Sequence, residues 1–164
     1  MTRFAEARHE EWIAAPVATV RAQFIDLQHH IDARVHPSLQ FTILSQGARR
    51  ARFTQEVRLL GIRQRDVFER EIEPDGSIVD TSIEGFNKGG SIVVAFRSQA
   101  RGSVSGTGVT IVVRLPLPTA LAWLRPLLAW QVRREVIAAA LQDKADIELR
   151  GYPRRAAMAQ AAAA

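Results

Sequence analysis

The sequence predicts an α+β fold in which a curved antiparallel sheet of about six or seven strands wraps a long C-terminal helix. Two observations carry this expectation. Between Leu39 and Leu115, short apolar or alternating runs are separated by Gly47, Gly61, Pro74-Asp75-Gly76, Asn87-Lys88-Gly89-Gly90 and the Gly102–Gly108 stretch. Connections that short join antiparallel neighbours, because a parallel crossover needs a dozen residues or more. From about Pro118 the apolar period changes to that of a helix and holds to about Leu149. One antiparallel sheet must bury its apolar face, and this helix is the only large partner for it.

The elements follow in order. Glu6–Ala14 reads as a first strand with Trp12 as its apolar anchor. Pro16 suits a helix start, and Val17, Val20, Phe24 and Leu27 then recur at three- and four-residue steps, the period of an amphipathic helix running towards His30. Pro37 stops helical structure near His36. Leu39–Leu44 is a compact strand. Phe53, Val57 and Leu59 alternate with Arg52, Thr54, Glu56 and Arg58, as a half-buried strand requires. Ile62–Ile72, Ser77–Phe86, Ser91–Arg97 and Val109–Leu115 supply four more strands. Leu121, Leu124, Leu128 and Val132 then form a helical stripe, widened by Trp123, Leu127 and Trp130 and extended by Val136, Ala139 and Ala140. Pro126 starts or kinks this helix, and Gly151 ends it. The expected organisation is one domain over residues 1–153 and a flexible C-terminal tail over 154–164.

Bulk properties narrow the function. A chain of 164 residues can bury a core without staples. There is no cysteine, which removes disulfides, thiolate metal sites, cysteine nucleophiles and cysteine-ligated iron–sulfur clusters. A net charge of +5 brings nucleic acid and anionic membranes into view. The cations are scattered arginines, however, and no basic-aromatic RNA motif or recognition helix is present, so nucleic acid is disfavoured. MTRFAEARHEEW contains no apolar leader core, and Leu115–Trp130 is interrupted by Pro116, Pro118, Arg125 and Pro126. A soluble, cytoplasmic protein is the expectation. No nucleophile elbow, P-loop or dinucleotide fingerprint is present.

The order of elements, from EEWIAAPVATVRAQFIDL through the hairpins to the helix ending LQDKADIELRGYP, resembles the START-like or SRPBCC superfamily. That superfamily includes polyketide cyclase-like proteins, pollen-allergen-type ligand carriers and the catalytic domains of Rieske oxygenases. The resemblance covers roughly Glu6–Pro153. It implies a helix-grip fold with a cavity between sheet and helix. Asp26-Leu27-Gln28-His29-His30-Ile31-Asp32-Ala33-Arg34-Val35-His36-Pro37 is similar to the iron-binding segment of Rieske oxygenases, and Gln142-Asp143-Lys144 to their last ligand segment. In that family an Asp precedes a His by three positions, and the second His follows after four intervening residues. Here the intervening count to His36 is five from His30 or six from His29, and the chain lacks a Rieske domain. The resemblance implies His30, His36 and Asp143 as metal ligands, with His29 as the substitute for His30; two histidines and a carboxylate are what a facial-triad iron site needs. The other reading of the histidine cluster is a solvent-exposed helix end.

For a hydrophobic binder, the expected walls are Trp123, Leu127, Trp130 and Ile137 from the helix and Phe53, Phe68 and Phe96 from the sheet, with Gln55 as a polar contact. Asp80, Ser82 and Glu84 compete with Val79, Thr81 and Ile83 for the inner face of their strand, since one residue of slip inverts it. Asp66, Asp80 and Glu84 are acid/base candidates or solvated strand carboxylates. The leading expectation is binding or carriage of a hydrophobic small molecule or lipid, with no cofactor. The alternatives are an iron- or zinc-dependent or cyclase-like enzyme, and a membrane-docking lipid chaperone whose Trp/Arg helix makes peripheral contact with a bilayer. The ligand and the oligomeric state are left open.

Overall fold

A computed structural model describes residues 3–59, 61–117 and 119–153. Pro118 and the expected tail over 154–164 lie outside the described residues. Strand β1 is Arg3–Ile13, followed by helices α1, Val17–Ile25, and α2, Leu27–Asp32. Six strands come next: β2 Gln40–Gln46, β3 Arg50–Leu59, β4 Ile62–Ile72, β5 Ile78–Gly85, β6 Ser91–Arg101 and β7 Val104–Leu117. A 3-10 turn, Thr119–Leu124, leads into helix α3, Arg125–Glu148.

The seven strands form one antiparallel sheet in the order β1-β7-β6-β5-β4-β3-β2. Consecutive hairpins build it from β2 to β7, and β1 then pairs along β7 from Arg3↔Leu117 to Ile13↔Thr107. Register shifts at Ile43/Ser45 and Val67/Phe68 insert bulges, which bend strands and increase twist. The curved sheet grips α3.

Three local findings refine the expected elements. The first helical segment is two helices, because Asp26 leaves helical geometry (ψ 79°) and its carboxylate caps α2 by accepting the His29 N–H at 2.9 Å. Strand β7 begins at Val104, five residues before the expected start, and incorporates the glycine-rich stretch. Gly106 is required there: a Cβ would sit 2.5 Å from the Trp12 ring and 2.6 Å from the Ile13 carbonyl oxygen. The inner face of β5 is Ile78, Asp80 and Ser82, all buried, whereas Thr81 and Glu84 are exposed.

The main core joins Leu128, Val132, Val136, Ala140 and Ile147 of α3 to Ala5, Ala7, Ile111, Val113 and Leu115 of the sheet. Steps of four and seven residues place those α3 side chains on one stripe. Asp143 and Asp146 lie on the same inward side, 3% and 1% exposed. Two carboxylates inside the helix grip require partners.

Candidate functional site: a histidine–carboxylate cluster at the wall of an apolar cavity

Between the sheet and α3 lies a cavity of about 180 Å³. Its walls are predominantly apolar and include Phe24, Phe53, Phe68, Ile111, Val132 and Val136. The lining residues Leu39, Gln55, Val57, Glu135 and Ala139 are only partly buried, so the cavity opens between the loop after His36, β3 and α3. Phe53 and Phe68 are cross-strand partners whose rings stack at 5.7 Å. Of the expected ligand-contacting residues, Phe53, Gln55 and Phe68 line this cavity.

The others do not. Trp123, Leu127 and Trp130 are 74%, 47% and 56% exposed and stand on the solvent side of the helical segment. Leu128, Val132 and Val136 take the inward stripe, and a helix cannot present all sides to one cavity. Ile137 is half-buried and lies off the lining. Phe96 packs edge-to-face on Phe24 at 5.4 Å, behind the wall.

His30, His36 and Asp143 all line the cavity and are all buried. One ligand-type atom from each falls within 4.8 Å of the other two. Helix α2 supplies His30, the turn after it supplies His36, and α3 supplies Asp143. The Nδ1 of His30 lies 2.7 Å from the Asp26 carbonyl oxygen, and the Nδ1 of His36 lies 3.0 Å from the Gln142 carboxamide oxygen. Those oxygens can only accept, so both Nδ1 atoms donate. Each ring then turns its Nε2 to Asp143 Oδ1, at 3.2 Å from His30 and 3.3 Å from His36.

Two imidazole lone pairs and one carboxylate oxygen cannot face each other bare. A proton or a cation must lie between them. Donors at ~2.0–2.1 Å from a tetrahedral metal ion are about 3.3 Å apart, so the two nitrogen–carboxylate separations suit a divalent ion as well as a proton. The Nδ1 acceptors match the outer hydrogen bonds that orient metal-binding histidines. Burial opposes charge on His36, but Asp143 outweighs it and raises the His36 pKa above its ordinary value. Burial likewise opposes charge on Asp143, yet His36 and His30 hold its carboxyl well below the usual range.

A second layer supports this cluster. Gln23 of α1, fully buried, donates Nε2–H to Asp143 Oδ1 at 3.0 Å and to Asp146 Oδ2 at 3.3 Å. His29, the expected substitute for His30, instead points its Nε2 at Asp146 Oδ2, 2.6 Å away. The Tyr152 ring packs on His29 at 4.7 Å, and its hydroxyl donates to Asp26 Oδ2 at 3.3 Å. Burial, reinforced by Asp26, pushes the Tyr152 hydroxyl up to about 12. Gln23, Asp146 and Tyr152 escape the sequence motif. The three-residue step from Asp143 to Asp146 was the available signal, since it returns both acids to one helix side.

Of the acid/base candidates of the sheet, Asp66 and Asp80 also line the cavity, but each is held by partners of its own. Asp80 forms a bidentate pair with buried Arg70, both bonds at 2.8 Å, while Arg70 also donates to the Phe24 carbonyl at 3.0 Å. Asp66 accepts the Asn87 backbone N–H at 2.6 Å and its carboxamide at 2.8 Å, stapling the β5–β6 loop. Glu84 is exposed.

No family model matches the sequence, and no curated protein matches it. Solved structures do. A protein from Thermus thermophilus is 18% identical with a TM-score of 0.73, covering 89% of this chain and 99% of its own. The Zhui aromatase/cyclase from Streptomyces sp. R1128 is 16% identical with a TM-score of 0.69, covering 91% and 99%. A START superfamily protein from Mycobacterium smegmatis is 13% identical with a TM-score of 0.63, covering 82% and 92%. At these identities the likeness is one of fold: the chain has the helix-grip fold of START/SRPBCC proteins. No helix among the described residues is long and apolar enough to cross a membrane.

Proposed function

We propose that the protein binds a hydrophobic small molecule in the cavity between its sheet and α3. The observation that carries this reading is an apolar cavity with its opening beside α3 and a few polar groups at its wall. Apolar walls such as Phe53, Phe68 and Val136 supply affinity by burying ligand surface, and Gln55 and the histidine cluster orient its polar atoms. The aromatase/cyclase and the START protein among the structural neighbours support the same kind of ligand. Titration with the fluorescent probe 1-anilinonaphthalene-8-sulfonate tests it. Ala139→Trp, at the partly exposed rim, fills the opening and lowers probe affinity at least tenfold while the circular dichroism spectrum is retained. Unchanged probe binding in that variant removes the cavity as the site.

The convergence of two Nε2 atoms on one carboxylate oxygen favours a second reading, in which His30, His36 and Asp143 hold a divalent metal at the cavity wall. Iron and zinc both suit two imidazoles and a carboxylate. A bound ion there supplies a Lewis acid for a ligand oxygen. His30, His36 and Asp143 would hold the ion, and the apolar wall would orient the ligand beside it. Elemental analysis of the purified chain and of His36→Ala tests this reading. One ion per chain, lost in the variant, supports it, and metal-free protein after incubation with zinc or ferrous iron refutes it.

A further inference from the structure

We propose that the outer side of the N-terminal third of α3, with the 3-10 turn before it, docks on an anionic lipid surface. Trp123, Leu127 and Trp130 follow each other at four- and three-residue steps, which return a helical chain to one side. None is needed by the core: Trp123 is three-quarters exposed and Trp130 more than half. Arg125, Arg133 and Arg134 stand exposed beside them, and residues 119–134 include no Asp or Glu. The Arg134 guanidinium lies 5.1 Å from the Trp130 ring centre, an arrangement that keeps the cation at the surface of the aromatic patch.

The nearest strand does not neutralise these arginines. Glu6 and Glu10 of β1 border the groove that Trp130 and Arg133 line. Glu6, however, is paired with Arg114 at 2.8 Å, and Glu10 with Arg8 at 2.8 Å and Arg97 at 3.7 Å. Among the described residues, no carboxylate lies within ion-pair distance of Arg125, Arg133 or Arg134. The patch therefore combines bare cations with exposed indoles and a leucine, and its complement is negatively charged and partly apolar. A second copy of this chain fits poorly, because a two-fold interface would set these arginines against themselves. The headgroup–acyl boundary of an anionic bilayer meets both demands: phosphates pair the arginines, and amphipathic indoles insert beside them. Val132, on the opposite side of the same helix, lines the cavity, so docking would bring the cavity's own wall to the membrane.

Co-sedimentation with vesicles of phosphatidylcholine, with and without phosphatidylserine, tests the proposal. Binding is expected only when phosphatidylserine is present, is weakened by added salt, and is accompanied by a blue shift of tryptophan fluorescence. The Arg133→Gln, Arg134→Gln double variant is expected to lose about thirtyfold in partition, since each arginine contributes about fivefold near an anionic surface. Trp123→Ser with Trp130→Ser is expected to abolish both sedimentation and the shift. All four positions are exposed, so the variants keep the wild-type melting temperature. The proposal is overturned by absence of binding at either composition, by equal binding to both, or by variants that sediment like the parent. It is also overturned if the tryptophan substitutions dissociate a dimer that never sediments with vesicles, an outcome that assigns the patch to a second copy.

Discussion

Asp143→Asn, assayed in the presence of a chelator, separates the charge of the histidine–carboxylate cluster from its shape. The carboxylate is 3% exposed, and its Oδ1 collects three groups: Gln23 Nε2 at 3.0 Å, His30 Nε2 at 3.2 Å and His36 Nε2 at 3.3 Å. Asparagine keeps the size and one acceptor but removes the charge. Breaking a buried ion pair from one side costs about 3–5 kcal/mol when the remaining charge has no escape. His36 does have an escape, because it can lose its proton. Its folded pKa is raised by Asp143, so in the wild type its contribution is fully present below the unfolded pKa and fades as pH rises through the folded pKa. The depressed Asp143 carboxyl stays ionised in mildly acidic solution. The cost of the substitution is therefore greatest at mildly acidic pH, about 3–5 kcal/mol. As pH rises through the raised folded pKa of His36 and that ring loses its charge, the cost falls to about 1–2 kcal/mol, the value of a disturbed hydrogen bond. Urea titration followed by circular dichroism at pH values below and above that pKa measures the difference. A loss that is equal at both, or larger in alkali, would refute the assignment of a charged His36–Asp143 pair.

Four further outcomes follow from the same structure. Asp80→Ala strands the buried Arg70 guanidinium and is expected to cost about 3–5 kcal/mol in urea denaturation. Phe53→Ala removes a 1% exposed ring stacked on Phe68; it should cost about 3–5 kcal/mol by the same measurement and weaken binding of the apolar probe. Gly106→Ala drives a methyl group against Trp12 and the Ile13 carbonyl, so thermal melting should reveal a loss of about 1–3 kcal/mol. Zinc or ferrous iron at a hundredfold excess over its dissociation constant should stabilise the native chain by about 2.7 kcal/mol, and should leave the melting temperature of His36→Ala unchanged.

The fold was legible because its signals are local. The turns at Pro74-Asp75-Gly76 and Asn87–Gly90 each bound one element, the helical period expected from about Pro118 is a 3-10 turn up to Leu124 and α-helix only from Arg125, and hairpins leave little freedom in assembling these elements. His30, His36 and Asp143 were legible only through residue type and chain order, since a spacing that departs from the related segment says nothing about a loop's path. What brings them together is the turn after α2, where Arg34 takes a positive φ of 48° and the Val35 N–H donates to the His30 carbonyl oxygen. The helix wall was misjudged for a different reason. Trp123, Leu127 and Trp130 flank the helical stripe in the sequence, and widening the stripe to include them places exposed side chains on the inner wall. The inward stripe is instead set by Leu128, Val132, Val136 and Ala140 at four-residue steps, followed by a three-residue step to Asp143 and a four-residue step to Ile147. Large exposed indoles are informative because a core has left them out.

The cluster also has a mechanical role in this fold. Helices α1 and α2 must be held over α3 by something, and at their junction the attachment is polar: Gln23 reaches Asp143 and Asp146, His29 reaches Asp146, and His30 and His36 reach Asp143. Gln23 Oε1 is buried there without a hydrogen-bond partner, and Asp146 Oδ1 has only the Arg150 guanidinium at 3.6 Å. A fully apolar clasp of the same volume would be at least as stable, since buried ion pairs seldom outperform well-packed hydrocarbon. A polar clasp does what an apolar one cannot: it sets several nitrogen and oxygen donors, with fixed tautomers, at the wall of a cavity. Substitutions that remove the donors therefore act on binding and on stability together. Gln23→Leu distinguishes the two roles, because Gln23 contacts both carboxylates without belonging to the triad. If the network serves only to close the fold, this variant lowers stability and leaves metal and probe affinity intact. If Gln23 positions Asp143 for a ligand, the affinities fall even where the variant remains fully folded.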